Sequence, residues 1–408
     1  MNSILSKTMV YTSLALLPFV GVGRTDDSTT KPKKEYFAEN FKRTMIYHSP
    51  QSPGYTCWLG TWIMPNKDLM ITFTQNTGEI DPARRASDEL RKQFYPHLEN
   101  AMRDATTLNK SNLFLRSSDK GATWKEVGGF GFEGPFAYCS PGGQDILLKD
   151  GTILKGVYGY FQLRNSVSPP SAYLIRSADQ GKTWSKPQVL GDPAKDNMRL
   201  TRIRRLRDGR LIATGGRART PSTSKIKEIW DLWEALLLVS DDEGKTWAGP
   251  IEVLNAEQRK GWMCEEYDTA ELPNGDLVCV FRRMSPADGK TQVRWQGLLK
   301  KDGKSWKITK LGPSVLPHSG HPELLMTKEG VILHIATSGM HWTENGETWT
   351  PVEFPNLKEG YHSRYYPKSI QADDGTIYIF GHVGSDNDYK AKDQSVVMET
   401  FNLKKNPR

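Results

Sequence analysis

Glu266, Tyr365, Tyr366, Arg199 and His321 each stand nine or ten residues ahead of a polar turn, at Gly275, Gly375, Gly209 or Gly330. Arg217, the Arg282/Arg283 pair and His382 stand seven or eight residues after the same kind of turn, and Arg364 flanks the tyrosines. A carboxylate, phenols, imidazoles and guanidinium groups form a set that can move a proton and grip an anion. Such chemistry requires that distant parts of the chain meet. Side chains alternate faces along a strand, so one member of each adjacent pair points inward.

Three copies of one pattern identify the elements that bring them together: Ser117-x-Asp119-x-Gly121-x-Thr123-Trp124, Ser177-x-Asp179-x-Gly181-x-Thr183-Trp184 and Ser240-x-Asp242-x-Gly244-x-Thr246-Trp247. Each follows an apolar run and reads as a strand entering a tight turn. The Asp accepts backbone hydrogen bonds, the Gly permits positive φ, and the Trp anchors the returning strand. These Asp residues therefore read as structural. Degraded copies occur at Gly303-Lys304-Ser305-Trp306 and Gly346-Glu347-Thr348-Trp349.

A second repeat counts the units. Apolar strands flank polar turns at Lys67, Gly151, Gly209, Gly275, Gly330 and Gly375, which gives six hairpins. Hairpin and box alternate along the chain, as four-stranded antiparallel units require. The expected fold is all-β, a six-bladed β-propeller over residues 41–408 as one domain. The sixth unit lacks a box, and the apolar stretch Thr44 to Tyr47 is expected to supply its outer strand and close the ring. In that fold the residues around the first strands converge on the mouth of the central channel.

Composition agrees: 37% hydrophobic residues, 12 Trp and 15 Tyr suffice for a large sheet core, and 36 Gly with 24 Pro suit many turns. A helix-period segment spans about Asp88 to Asp104, an insertion in the first unit. Residues 1–23 read as a signal peptide, with Lys7, an apolar stretch from Met9 to Val20 and small residues at Gly21 to Gly23. Residues 24–40 read as a flexible polar leader. An exported protein, periplasmic, secreted or at the cell surface, is expected, with no stable membrane span after cleavage.

The formal net charge of +8 suits anionic partners, but the basic residues are scattered without a run of five. Nucleic acid is disfavoured, and a carboxylated glycan suits the sign of the charge better. Four cysteines allow three pairings and show no metal-site spacing. No metal or organic cofactor is expected.

These residues resemble the sialidases and their Asp-box relatives, six-bladed propellers with boxes of the S-x-D-x-G-x-T-W form, over nearly the whole mature chain. The resemblance implies a glycosidase that removes a terminal acidic sugar with a Tyr nucleophile activated by a Glu, an exception to the usual carboxylate pair. Glu266 matches the family's Glu and Tyr365 or Tyr366 its nucleophile. Arg282 or Arg283 matches a carboxylate-binding Arg. Arg199, Arg217, Arg364, His321 and His382 are further substrate-binding candidates. The acid/base Asp falls in the first-blade insertion, with Asp81, Asp88 and Asp104 as candidates. The family's first-blade Arg is absent: the matching stretch is Thr56-Cys57-Trp58-Leu59, and the fifth blade carries His318-Ser-Gly-His321.

The leading expectation is an exo-α-sialidase-type hydrolase. Two alternatives stand beside it: a polysaccharide lyase acting on uronic acids, in which Tyr or His moves a proton alpha to a neutralised carboxylate, and a non-catalytic glycan-binding propeller.

Overall fold

The structure is a computed structural model that describes residues 35–51, 54–78, 109–133, 144–158, 162–163, 172–191, 196–219, 233–260, 262, 264, 266–284, 292–303, 305–317, 320–383 and 394–406. The expected signal peptide, most of the expected leader and the insertion with Asp81, Asp88 and Asp104 lie outside them.

Strand β1 (Tyr36–His48) precedes the first blade, which runs β2 (Gly54–Ile63), β3 (Leu69–Thr77), β4 (Asn109–Ser117) and β5 (Lys125–Glu133). The second blade has β6 (Gln144–Leu147), β7 (Ile153–Tyr158), β9 (Ala172–Ser177) and β10 (Gln188–Leu190), while β8 (Gln162–Leu163) adds a fifth strand to the first. The third has β11 (Asp196–Arg205), β12 (Leu211–Arg219), β13 (Trp233–Ser240) and β14 (Ala248–Glu252), followed by the short helix α1 (Ala256–Arg259). The fourth has β15 (Tyr267–Glu271), β16 (Leu277–Met284), β17 (Gln292–Asp302) and β18 (Ser305–Pro313), and the fifth β19 (Glu323–Met326), β20 (Ile332–Ala336), β21 (Gly339–Thr343) and β22 (Thr350–Pro351). The sixth has β23 (Tyr365–Gln371), β24 (Thr376–His382) and β25 (Ser395–Lys405).

The sixth sheet is completed from the other end of the chain. Its order is β1-β25-β24-β23, with Thr44 opposite Met398 and Tyr47 opposite Val396. Pairing begins at Tyr36, so the last residues assigned to a leader over 24–40 are already strand. The edge of β25 is thereby covered. Six-bladed closure also shows in the core, because the buried clusters among the described residues sit in seams between neighbouring blades. Trp62 and Phe114 meet Ile153 between blades one and two, Leu237 meets Cys279 and Phe281 between three and four, and Phe73 meets Phe380 between six and one. Packing on both faces buries all nine residues of β3, the polar Thr72, Thr74, Gln75, Asn76 and Thr77 included.

The turns follow the repeat. Gly151, Gly209, Gly275, Gly330 and Gly375 all have φ between 85° and 92°, and Lys67 reaches 73° at the equivalent place. In the first box, Asp119 accepts from Thr123 N at 2.8 Å and Thr123 Oγ1 at 2.5 Å, and Ser117 Oγ accepts from Gly121 N at 2.8 Å. These bonds, with the Thr123 side chain foremost, hold the Asp119 carboxyl down at about 2. The degraded fifth-blade box keeps the scheme with other residues: Thr343 Oγ1 accepts from Gly346 N at 2.9 Å and Asn345 Oδ1 from Glu347 N at 2.8 Å.

Below the mouth, the channel is lined by buried ion pairs. Lys155 meets Asp145 at 2.8 Å, Arg202 meets Glu323 at 3.0 Å and Arg204 meets Asp268 at 2.5 Å. The far end opens into a cavity of about 690 Å³ bordered by Asp145, Arg202, Arg204, Thr269 and Ser369. Among the described residues no helix is long and apolar enough to cross a membrane, and no group of three or more His, Cys, Asp or Glu is set to hold a metal ion.

Candidate active site

Glu266 sits one residue before β15, and Arg282 N donates to its carbonyl oxygen at 2.9 Å. The two residues are thus neighbours across the first hairpin of the fourth blade. Arg282 Nη1 donates to Glu266 Oε2 and, at 3.0 Å, to Tyr366 OH. Tyr366 OH in turn donates to Glu266 Oε1 at 3.2 Å. Three groups 16 and 84 residues apart in sequence therefore close one triangle.

A backbone irregularity aims the phenol. The register of β23 against β24 shifts between Tyr365 and Lys368, and Tyr366 has φ 47°, a conformation that costs a side-chain-bearing residue about 1–3 kcal/mol. Bulges of this kind redirect side chains at sites. The phenol ring passes so close to Gly320 that a Cβ there would stand 2.8 Å from Cε2. His382 stacks near it at 6.0 Å and 23°, and Tyr365 lies at 4.8 Å.

Burial pushes the Glu266 carboxyl up, but Arg282 and Arg199, the latter at 3.6 Å, outweigh it and hold the group at about 2. Glu266 is thus ionised at any working pH. Burial opposes the charge of Arg282, and Glu266 overcomes this and keeps it firmly protonated. Burial lowers both His321 and His382 to about 3, so both rings are neutral. An ionised carboxylate bonded to a phenol that also accepts from a guanidinium can take the phenolic proton while the cation steadies the resulting oxyanion.

Of the ten candidates, Glu266, Tyr366, Arg282 and Arg199 converge. Tyr365, His382 and His321 pack around Tyr366, with the His321 ring 6.5 Å away and its Nδ1 against Pro322 O at 2.6 Å. Arg283 does not converge: it follows Arg282 on the strand and faces the other way. Its guanidinium lies 3.9 Å over Trp295 and 5.1 Å from Trp262. Arg217 pairs with Glu234 at 2.7 Å within the third blade. Arg364 lies along Gly381, where a Cβ would meet its Cβ at 2.5 Å, and acts on Glu399.

The sequence reading missed Arg294. It lies directly opposite Arg282 in register on β17, is buried, and donates to Gly320 O at 2.9 Å. Burial first, then Arg282, lowers it to about 9. Position counting covered only the first two strands of each blade, so a residue on the third had no signal there.

The chain belongs to the BNR repeat-like domain family, whose model matches residues 160–379. No curated protein matches it in sequence. Among solved structures, it resembles a Dyadobacter fermentans protein of unknown function with TM-score 0.59 and 16% identity, covering 89% of this chain and 99% of that one. It also resembles a GH93 α-L-arabinofuranosidase of Fusarium graminearum, with TM-score 0.57, 14% identity and coverage of 89% and 97%. A sialidase of Streptococcus pneumoniae gives TM-score 0.53 and 11% identity, covering 88% of this chain and 70% of that one. At these identities the likeness is one of fold.

Proposed function

We propose that this protein is an exo-acting glycoside hydrolase of the sialidase type that releases a terminal acidic sugar from a glycan. The observation that carries it is the Tyr366 hydroxyl, 3.2 Å from Glu266 Oε1 and 3.0 Å from Arg282 Nη1. A free phenol has a pKa near 10 and is a poor nucleophile at neutral pH. Glu266 takes the proton as the Tyr366 oxygen attacks the anomeric carbon, and the bond to the leaving oxygen breaks. A carboxylic acid then protonates the leaving oxygen, and Asp81, Asp88 and Asp104 are the candidates for it. In a second step water attacks the anomeric carbon, giving a proton to the carboxylate that the acid of the first step left behind, the bond to the Tyr366 oxygen breaks, and Glu266 returns its proton to the phenol. Arg282 and Arg199 hold the sugar's carboxylate.

The fold neighbours named as glycoside hydrolases support this reading at the level of a carbohydrate substrate. The export expected from residues 1–23 would bring the enzyme to such glycans. A second reading is a hydrolase of neutral sugars in which the Glu266 carboxylate attacks directly. The first-blade stretch Thr56-Cys57-Trp58-Leu59, which brings no cation, favours it.

The test offers the purified protein fluorogenic α-sialosides, uronides and α-L-arabinofuranosides. Release from an acidic glycoside is expected. Release from the arabinofuranoside alone replaces the first reading by the second, and an unsaturated, ultraviolet-absorbing product from a uronic-acid polymer replaces both by the lyase.

A further inference from the structure

Glu266, His321 and Tyr366 each stand nine residues before the turn glycine of their blade, at Gly275, Gly330 and Gly375. In the first blade the turn residue is Lys67, which has the same left-handed backbone, and the corresponding position is Trp58. We propose that Trp58 forms an aromatic wall of the mouth, on which the sugar ring of the substrate stacks. The proposal rests on the carbohydrate reading of the site and adds a specificity residue to it.

Backbone geometry supports the equivalence independently of counting. Trp58 has φ 50° and Tyr366 has φ 47°. The register of β2 against β3 shifts between Cys57 and Gly60, as that of β23 against β24 shifts between Tyr365 and Lys368. The same irregularity that aims the Tyr366 phenol over the mouth is therefore built into the adjacent blade. The two blades are neighbours, since Leu59 and Phe73 share a buried cluster with Phe380.

Exposure singles out the tryptophan. Cys57 and Leu59 on either side are fully buried, whereas Trp58 is half-buried. A left-handed backbone on a bulky residue persists where the surroundings impose it, and such residues gather at ligand clamps. Binding pockets are lined mainly by apolar and aromatic groups with a few placed polar ones. Around this mouth the polar groups are Glu266, Tyr366 and Arg282, and Trp58 supplies the apolar face. An indole plane matches the C–H face of a sugar ring and leaves the recognition of a carboxylate to Arg282 and Arg199.

The test uses the full chain carrying Glu266→Gln, so that bound glycoside persists, with Trp58 intact or changed to Phe, Leu or Ala. Titration calorimetry with the methyl α-glycosides of N-acetylneuraminic acid and of L-arabinofuranose reads the affinity, and thermal melting reads folding. Leu and Ala should weaken the glycoside that binds by about tenfold, and Phe should stay within about threefold of the parent, with Phe and Leu melting alike. A Leu variant that binds as tightly as the parent overturns the stacking role alone. Equal loss in Phe and Leu also overturns it, because an aromatic face would then not be what the ligand meets. If neither glycoside binds the parent, the carbohydrate reading falls and this proposal falls with it.

Discussion

Glu266 and Tyr366 depend on each other, so removing either should cost nearly the whole rate. Glu266→Gln and Tyr366→Phe are expected to lower kcat by about 10²–10⁴-fold with folding intact, measured on an acidic glycoside of the proposed substrate class. Tyr365→Phe should retain activity within about an order of magnitude, since its ring packs beside Tyr366 at 4.8 Å while Tyr366 carries the bond to Glu266. The ruler of turn residues brought Glu266 and the tyrosine pair to the mouth from sequence alone. It could not choose Tyr366 over Tyr365, because the choice rests on a bulge. Strand alternation posed the choice between Arg282 and Arg283, and the folded strand resolves it: Arg282 meets Glu266 while Arg283 lies over Trp295.

Two buried imidazoles at the same site give a pH dependence with a definite sign. His321 and His382 are held at about 3 by burial, well below the ordinary value of about 6.5. Between those values the unfolded chain binds protons that the native state refuses, so stability falls as pH drops from about 6.5 toward 3. His382→Phe should therefore lose less of its melting temperature between pH 7 and pH 4.5 than the wild type does. An equal loss in both would show that the His382 ring is protonated in the folded protein.

The boxes and the closing strand act as elements of the fold, away from the chemistry. Ser240 is buried, accepts from Gly244 N at 2.8 Å and donates to Asp242 Oδ1 at 2.9 Å. Ser240→Ala leaves a buried N–H without its acceptor and should cost about 1–3 kcal/mol in denaturant unfolding, with kcat unchanged. Deleting residues 36–48 should do more, because it uncovers the edge of β25 and removes Tyr36 from its 4.7 Å edge contact with Trp342. The expected outcome is aggregation on expression or loss of a single cooperative melt. Turn glycines, boxes and the outer strand from Thr44 to Tyr47 were legible because each is a local pattern. The start at Tyr36 and the fifth strand at Gln162–Leu163 were not, since edge pairing leaves little mark on polar sequence. The fifth-blade box was legible only as a degraded copy at Gly346 to Trp349, because Asn345 stands where the other boxes have Asp while the bonding geometry survives the change of residue type.

At the scale of the whole ring, the seams between blades and the ion pairs along the channel carry the architecture. Asp268 accepts from Arg204 at 3.0 and 2.5 Å and from Leu324 N at 2.8 Å, tying the third, fourth and fifth blades together. Asp268→Ala strands a buried guanidinium and should cost about 3–5 kcal/mol, read by chemical denaturation. The number of blades was readable from six turns, whereas this column of charges was not, because all its members but Lys155 come from first strands, and the pairs of Arg202 and Arg204 join different blades that meet only after the ring has closed. The same closure places a carboxylate, a phenol and a guanidinium from two blades in one triangle, and the enzyme proposed here stands or falls on that meeting. Incubation with a fluorinated sialosyl fluoride, which slows release of the glycosyl intermediate, followed by peptide mass spectrometry, tests it most directly. The account predicts a glycosylated peptide with the sugar on Tyr366. A sugar on Glu266, or an unmodified protein that nevertheless hydrolyses the sialoside, would contradict it.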